Sequence, residues 1–332
     1  MKFIFSVLLS FASLALFAQD DLLKMLDTIA PQNKSINKVT ATFKTTKIIS
    51  LQTTSTMRKG ELDFRITHRF GNIGGMSNGG AHMLYGLDAI SDYRISFDYG
   101  ITDKLQIGIA RNKMLENIDA SLKWRFLEQT IDNKVPLSIA VYGIASLTTM
   151  RQKQLYSGAD SMWIANANAS HQVLQDRITY TSQIVFARKF GSRLSFEIAP
   201  AYTHRNYVLA RINGNNNAAD ETNIYSIGTG IRLKLTRSFS LLADYFYVIS
   251  AYRKNNPYQS FYNPLAVGIE IETGGHVFHI NVTNASGITE NYFILNTTDS
   301  WLKGGYKLGF NISRVFSMTK RKKSPDKSSL EK

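Results

Sequence analysis

Residues 93–109 read YRISFDYGITDKLQIGI, and this stretch decides the fold. Apolar and polar residues alternate in its first half, a turn containing Gly100 follows, and the alternation resumes after Lys104. A period of two gives a β-strand one apolar and one polar face. Two such runs joined by a short turn therefore predict a β-hairpin.

The same alternation recurs along the chain and predicts an all-β protein of about twelve strands, within a range of about 10–14. Most runs approach the roughly 9–11 residues that a tilted strand needs to cross a bilayer. Three runs alternate poorly, at 137–147, 179–187 and 240–248. The other predicted strands lie at 61–67, 93–99, 105–110, 118–126, 194–203, 224–234, 265–272, 277–282 and 306–316.

Short and long connections alternate between these strands. The short ones are 100–104, 127–136, 188–193, 235–239 and 273–276. The long ones are 69–92, 148–178, 204–223, 249–264 and 283–305, and only 111–117 departs from the pattern. A transmembrane barrel has tight turns on one side of the membrane and larger loops on the other, whereas a soluble sandwich has no reason to sort its loops in this way.

Charged residues occupy one face of the predicted strands, and the opposite face carries almost none. In a soluble sandwich the charged face would meet water, whereas in a membrane barrel it would line the interior. An arginine facing lipid at the midplane costs about 2–4 kcal/mol, so the uncharged face suits lipid. We expect these residues to line the lumen: Arg65, Arg94, Asp98, Asp119, Lys123, Arg125, Glu197, Arg232, Asp244, Glu270, Glu272 and Lys307.

The N-terminus predicts export. Residues 1–18 combine a basic start, an apolar stretch and small residues before a cut after Ala18, which is the pattern of a signal peptide. The chain carries a net charge of +14, which raises nucleic acid as a partner, but an exported protein seldom meets nucleic acid. The chain has no cysteine, which excludes a disulfide scaffold and a cysteine-ligated metal site.

The segments that flank the strands are predicted to lie outside the barrel domain, which we place at 61–316. Residues 19–60 are expected to form an N-terminal periplasmic segment with a short helix around 22–29, and an ambiguous further strand lies near 39–49. Residues 317–332 are basic and are expected to be a disordered tail. Nothing in the sequence resembles a separate plug domain.

Five stretches, in order, resemble a catalogued family of Gram-negative barrels, domain of unknown function 5777. They are LDFRITHRFG at 62–71, YGLD at 85–88, FDYGITD at 97–103, IEIETGGHVF at 269–278 and GFNISRVF at 309–316. The resemblance covers roughly residues 40–318. It implies an outer-membrane barrel and no particular activity.

Two kinds of chemistry are not expected of this sequence. His276, His279, Asn281 and Ser286 lie close in sequence, as an outer-membrane lipase would need, but no serine has an elbow motif around it. The six histidines are dispersed, and no acidic partner stands at a ligand spacing. We therefore expect no enzymatic activity, no metal and no cofactor.

Two functions remain open for a barrel with a nearly balanced set of interior charges. In one, acids and bases line a narrow channel for small polar solutes. In the other, the charges pair and fill the interior, and the protein is a non-catalytic scaffold that binds a protein partner through loops near 69–92, 148–178 and 204–223. Twelve strands fall between the barrel sizes that side chains fill and those that leave a channel. Outer-membrane lipid is the partner expected in both cases.

Overall fold

The computed structural model describes residues 38–39, 42–74, 79–150 and 174–318. Twelve antiparallel strands form a closed barrel in which each strand pairs with its neighbours in sequence. This confirms the predicted fold class and strand number. The strands are β1 (Glu61–Asn72), β2 (Ile90–Gly100), β3 (Leu105–Asn112), β4 (Asn117–Leu127), β5 (Ser138–Thr148), β6 (Ile178–Phe190), β7 (Leu194–Arg205), β8 (Asn223–Lys234), β9 (Phe239–Ile249), β10 (Leu265–Thr273), β11 (His276–Thr283) and β12 (Lys307–Ser317).

The pairing of the first and last strands closes the sheet. β1 and β12 run antiparallel from the pair Glu61–Ser317 to the pair Asn72–Lys307, with one irregularity after Arg69. A sheet in lipid cannot leave the N–H and C=O groups of an edge strand unpaired, because no water is present to satisfy them. The closure therefore removes the two edges that the bilayer would not tolerate.

The outward face of the barrel is apolar around its circumference. Ile109 and Leu122 are 59% and 51% exposed at the middle of β3 and β4, and similar side chains follow on the other strands. Aromatic side chains, among them Tyr93, Trp124 and Tyr247, are also exposed on this face. This surface matches the belt that a barrel presents to lipid.

The connections sort by length between the two ends. At the turn end the strands are joined by 101–104, 128–137, 191–193, 235–238 and 274–275, and the longer connections lie at the opposite loop end. The loop end contains 3-10 segments at Ala81–Gly86, Met114–Glu116, Leu174–Arg177 and Trp301–Lys303, and one short α-helix, α1, at Glu290–Phe293. Within the described residues, no helix is long and apolar enough to cross a membrane.

The interior of the barrel is occupied by two parts of the same chain. Residues 42–54, the inserted hairpin, enter from the turn end before β1 begins. Residues 284–297, the inserted loop, enter from the loop end between β11 and β12 and include α1. The sequence assigned residues 42–54 to a periplasmic segment, and the structure places them inside the barrel.

Several sequence predictions concern residues that the structure does not describe. The chain divides into two units, residues 1–38 and residues 39–332, and nearly all of the first lies outside the described ranges. The signal peptide, the helix around 22–29, residues 151–173 of the loop 148–178 and the tail beyond residue 318 stay predictions for this reason.

Replacing Ile109 by arginine tests which face meets lipid. Because this side chain points outward from mid-strand, the substitution should lower the free energy of unfolding by about 2–4 kcal/mol. The measurement is urea unfolding of the barrel refolded into lipid vesicles. Phe239→Arg is the control, since Phe239 begins β9 at the turn end, where the cost should be only about 0–1 kcal/mol. Equal costs at the two positions would contradict the assignment.

Candidate functional site

The inserted hairpin reverses direction over four residues deep in the lumen. Lys47 and Gln52 form an antiparallel bridge, and the Ile48 amide donates a hydrogen bond to the Leu51 carbonyl at 2.8 Å. The chain enters and leaves at the turn end, where the Val39 amide donates to the Gln129 carbonyl at 2.8 Å. The tip at 48–51 is therefore the part of the hairpin that lies farthest from the turn end.

A single carboxylate of the wall holds this tip. Oδ2 of Asp244, on β9, accepts hydrogen bonds from the backbone amides of Ile49, Ser50 and Leu51 at 3.1, 2.6 and 3.0 Å. All four residues are buried. Successive backbone N–H groups that converge in this way form an anion-binding nest, and here the anion is a side chain of the same protein.

Two further wall residues bind the hairpin through its carbonyl groups. Nζ of Lys123, on β4, donates to the Thr46 carbonyl at 2.6 Å. Oγ of Ser195, on β7, donates to the Thr42 carbonyl at 2.5 Å. The hairpin backbone is thus bound by three different strands, β4, β7 and β9.

The apolar side chains of the hairpin rest on a part of the wall that has very small residues. A Cβ atom added at Gly230 would lie 2.4 Å from Cδ1 of Ile48, and one at Gly228 would lie 2.6 Å from Cδ1 of Leu51. The missing side chains therefore make the space that these two residues fill. The hairpin contributes to two buried apolar clusters with wall residues, which include Val185, Ala187, Ala199, Leu242, Phe246 and Ala266. The predicted division of faces did not anticipate apolar clusters in the interior.

The two inserted segments meet at a buried ion pair. Nζ of Lys47 lies 3.3 Å from Oε1 of Glu290, which also accepts a hydrogen bond from Nε2 of Gln52 at 3.0 Å. Nη2 of Arg69, on β1, donates to Oγ of Ser50 at 2.8 Å. These contacts join the hairpin, the wall and the inserted loop at one depth in the barrel.

The wall also binds the backbone of the inserted loop. Arg69 donates to the carbonyls of Gly287 and Ala285, the latter at 3.2 Å. Oδ2 of Asp92, on β2, accepts from the Ile288 amide at 2.9 Å. The loop is therefore fixed to β1 and β2 by backbone contacts.

At the loop end, Arg253 connects the inserted loop to the outer connections. Its Nε donates to the Leu295 carbonyl at 2.9 Å, and its Nη1 lies 3.2 Å from carboxylate oxygens of both Asp220 and Glu221. Burial lowers the pKa of Arg253, while the Asp220 carboxylate opposes that shift. The contact joins the inserted loop to the connections between β7 and β8 and between β9 and β10.

Cavities lie on either side of the inserted segments. At the loop end a cavity of about 490 Å³ is lined by Arg205 and Tyr207. At the turn end a cavity of about 430 Å³ reaches Arg65. Between them, the cavity beside Lys47, Arg94 and Tyr142 has a volume of only about 30 Å³, which leaves room for little more than water.

The structure places the predicted lumen residues on the inward face of the strands. Asp98, Arg125 and Glu272 are partly exposed. The others are buried: Arg65, Arg94, Asp119, Lys123, Glu197, Arg232, Asp244, Glu270 and Lys307. Asp98 lines the small cavity beside Lys47. Arg125 donates a hydrogen bond to the Asp103 carbonyl at 2.9 Å, at the turn end.

Some of these residues form ion pairs that span an intervening strand, from β2 to β4 and from β8 to β10. Arg94 pairs with Asp119, and Nη2 of Arg232 lies 2.7 Å from Glu270 and 2.9 Å from Glu272. Other residues of the set are paired outside it: Nη2 of Arg65 lies 2.9 Å from Asp63, and Lys307 pairs with Asp299. Lys123 and Asp244 instead bind the inserted hairpin.

Sequence reasoning missed two wall residues of the site, Arg69 and Asp92. Both were assigned to the loop 69–92, whereas β1 extends to Asn72 and β2 begins at Ile90. The sequence did carry a signal. Every second residue of β1 is polar up to Thr67 and Arg69, and the same alternation in β2 begins at Asp92.

The geometry does not assemble the lipase-like set of residues. Oγ of Ser286 lies 3.4 Å from Asp299, whereas Nε2 of His279 lies 3.2 Å from Glu270 on a different part of the wall. In the part of the chain that the structure describes, no group of three or more His, Asp or Glu side chains is placed to hold a metal ion.

Comparison with known proteins identifies a family. Residues 43–316 match a family model described as "Membrane bound beta barrel domain (DUF5777)". No curated protein matches the sequence. Similar solved structures include the NanC porin, with 10% identity, a TM-score of 0.42 and coverage of 76% of this chain and 98% of that one. The KdgM porin has 8% identity, a TM-score of 0.38 and coverage of 77% and 98%. The outer membrane protein Omp33 of Acinetobacter baumannii has 7% identity, a TM-score of 0.37 and coverage of 78% and 99%.

Replacing Asp244 by alanine should release the tip of the hairpin while the barrel wall stays folded. A hydrogen bond to a charged group contributes about 1.5–3 kcal/mol, and three are lost together. We expect amide hydrogen exchange at Ile49, Ser50 and Leu51 to accelerate by about 100-fold or more, while the strand amides keep their protection.

Asp98→Ala is the matched control for this experiment. Asp98 also faces the lumen, but within the described residues it makes no hydrogen bond to either inserted segment. If Asp98→Ala accelerated exchange at the tip as much as Asp244→Ala does, Asp244 would not be the residue that holds the hairpin.

Proposed function

Because the chain belongs to the DUF5777 family of membrane-bound β-barrel domains, we propose that it is an outer-membrane channel for small polar solutes, held closed by its two inserted segments. The observation that carries this proposal is the position of those segments. They fill the middle of a polar lumen and leave a large cavity at each of its ends.

The nature of the wall supports a passage for polar solutes. Charged, hydroxyl or amide side chains face the lumen from all twelve strands. Acids and bases are interleaved, as in the pairs Arg94–Asp119 and Arg232–Glu270, so the described residues form no ring of one sign that would select strongly for one charge. The twelve lumen residues predicted from the sequence are the lining that we propose for this passage.

Two sequence features support an outer-membrane location. The signal pattern at residues 1–18 predicts export, and the apolar outward face suits a bilayer. The lipid of that membrane is the partner that the outward face would contact.

A scaffold with a closed lumen is the second candidate, and one observation favours it. The connections 206–222 and 250–264 are bound to each other, since Nδ2 of Asn213 donates to the Tyr252 and Lys254 carbonyls at 2.9 and 2.8 Å. They form an ordered outer surface on which Tyr258 is 78% exposed. Such a surface suits a protein partner at least as well as it suits the mouth of a channel.

Conductance separates these two functions. Ile48→Asp combined with Leu51→Asp places two carboxylates against the small residues of the wall, so we expect the hairpin to leave the lumen. In planar bilayers the wild-type chain should give rare openings, and the double variant should conduct small ions at least tenfold more often.

Ile131→Asp combined with Leu302→Asp is the matched control, because it adds the same two charges at positions that are 68% and 98% exposed. It should behave as the wild-type chain does. A folded double variant that stays electrically silent would overturn the channel in favour of the scaffold. If the double variant does not fold, Asp244→Ala provides the same test through the loss of the tip contacts.

A further inference from the structure

The wall of the lumen makes more hydrogen bonds to the backbone of the inserted hairpin than to its side chains. Asp244 binds three consecutive amides, while Lys123 and Ser195 each bind a carbonyl. Near the turn end, Oε1 of Gln106 accepts a hydrogen bond from the Met57 amide at 3.0 Å. Amide and carbonyl groups are common to every peptide, so these contacts do not require the sequence of this hairpin.

The wall also offers pockets for side chains at the tip. Ile48 and Leu51 occupy the space left by Gly230 and Gly228, and Leu51 also packs among Val185, Ala199 and other buried residues. Main-chain hydrogen bonds combined with pockets for particular side chains are how proteins bind peptide segments. The lumen therefore has both parts of a peptide-binding site.

The wall has more polar groups than the hairpin uses. On β6 and β7, the side-chain amide of Gln183 and both carboxylate oxygens of Glu197 are buried and have no hydrogen-bond partner among the described residues. The hydroxyls of Ser146 on β5 and Ser226 on β8 are also buried and have no hydrogen-bond partner among the described residues. Cγ of Glu197 would lie 3.1 Å from a Cβ added at Gly230, so its carboxylate stands beside the pocket of Ile48. A peptide with a cationic or amide side chain at that point would find a partner that this hairpin does not supply.

We propose that the lumen is a binding site for peptides that form a tight turn, and that the inserted hairpin occupies it as an internal ligand. The proposal rests on the proposed channel and names the class of its solute. A peptide that presents three free amides to Asp244, with apolar side chains for the two glycine pockets, would replace the hairpin contact by contact.

The test uses the full chain with Ile48→Asp and Leu51→Asp, which frees the site while leaving the wall unchanged. The probe is the synthetic peptide TFKTTKIISLQTT, the sequence of residues 42–54, carrying a fluorophore. A second probe keeps the tip sequence Ile-Ile-Ser-Leu, which corresponds to residues 48–51, and has the remaining residues in scrambled order. Binding is followed by fluorescence anisotropy in detergent and by block of the current in planar bilayers.

We expect both peptides to bind, and N-methylation of the three amides equivalent to Ile49, Ser50 and Leu51 to weaken binding at least tenfold. Adding Asp244→Ala to the open variant should remove that difference, because the acceptor of those amides is then gone. Equal binding of the methylated peptide, failure of the scrambled peptide, or an equal block by maltohexaose would each overturn the proposal.

Binding in detergent does not depend on conduction, so the two proposals fail separately. A folded open variant that binds the peptides but carries no current would refute the channel and keep the peptide site. A variant that conducts but binds neither peptide would refute the peptide site and keep the channel.

Discussion

The pairing of β1 with β12 is the constraint on which the rest of the molecule depends. In lipid an unpaired strand edge would leave a row of backbone N–H and C=O groups without partners, so the sheet must close. Closure at twelve strands fixes the outward face as apolar and encloses an inward face that lipid cannot reach. It also creates a volume that wall side chains alone do not fill, and the segments that precede β1 and β12 fill it.

The hairpin fits the lumen because the wall combines two kinds of residue, which lie side by side at the pair Gly230–Asp244. Charged groups such as Asp244 and Lys123 bind the polar backbone of the hairpin, whereas Gly228, Gly230 and the neighbouring alanines receive its apolar side chains. A uniformly charged lumen would leave Ile48 and Leu51 without apolar neighbours. A uniformly apolar one would leave the amides of the tip unsatisfied, which is costly in a buried position. The hairpin therefore fits this wall in one orientation.

The barrel could be predicted from the sequence because each strand carries its own signal: alternation within β2, β4 or β12 needs no knowledge of distant residues. The hairpin carried no such signal. Its run of threonine and lysine reads as a polar segment, and its main partner, Asp244, lies 194 residues from Ser50. One clue was available in Gly228 and Gly230, which interrupt the inward parity of β8 with side-chain-free positions. Without the register of the neighbouring strands, however, they indicate only a gap and not what fills it.

The ion pair between Lys47 and Glu290 couples the two inserted segments. Both side chains are largely removed from solvent. The pair is a direct contact between the hairpin and the inserted loop, with no wall residue between them. If the hairpin left alone, Glu290 would stay buried without its cation and without Gln52, and leaving a buried charge unpaired costs about 3–5 kcal/mol. A cost of that size favours a rearrangement of the inserted loop whenever the hairpin moves. Because that loop is also tied to Arg253 and the outer connections, an event at the turn end is linked to the shape of the loop end.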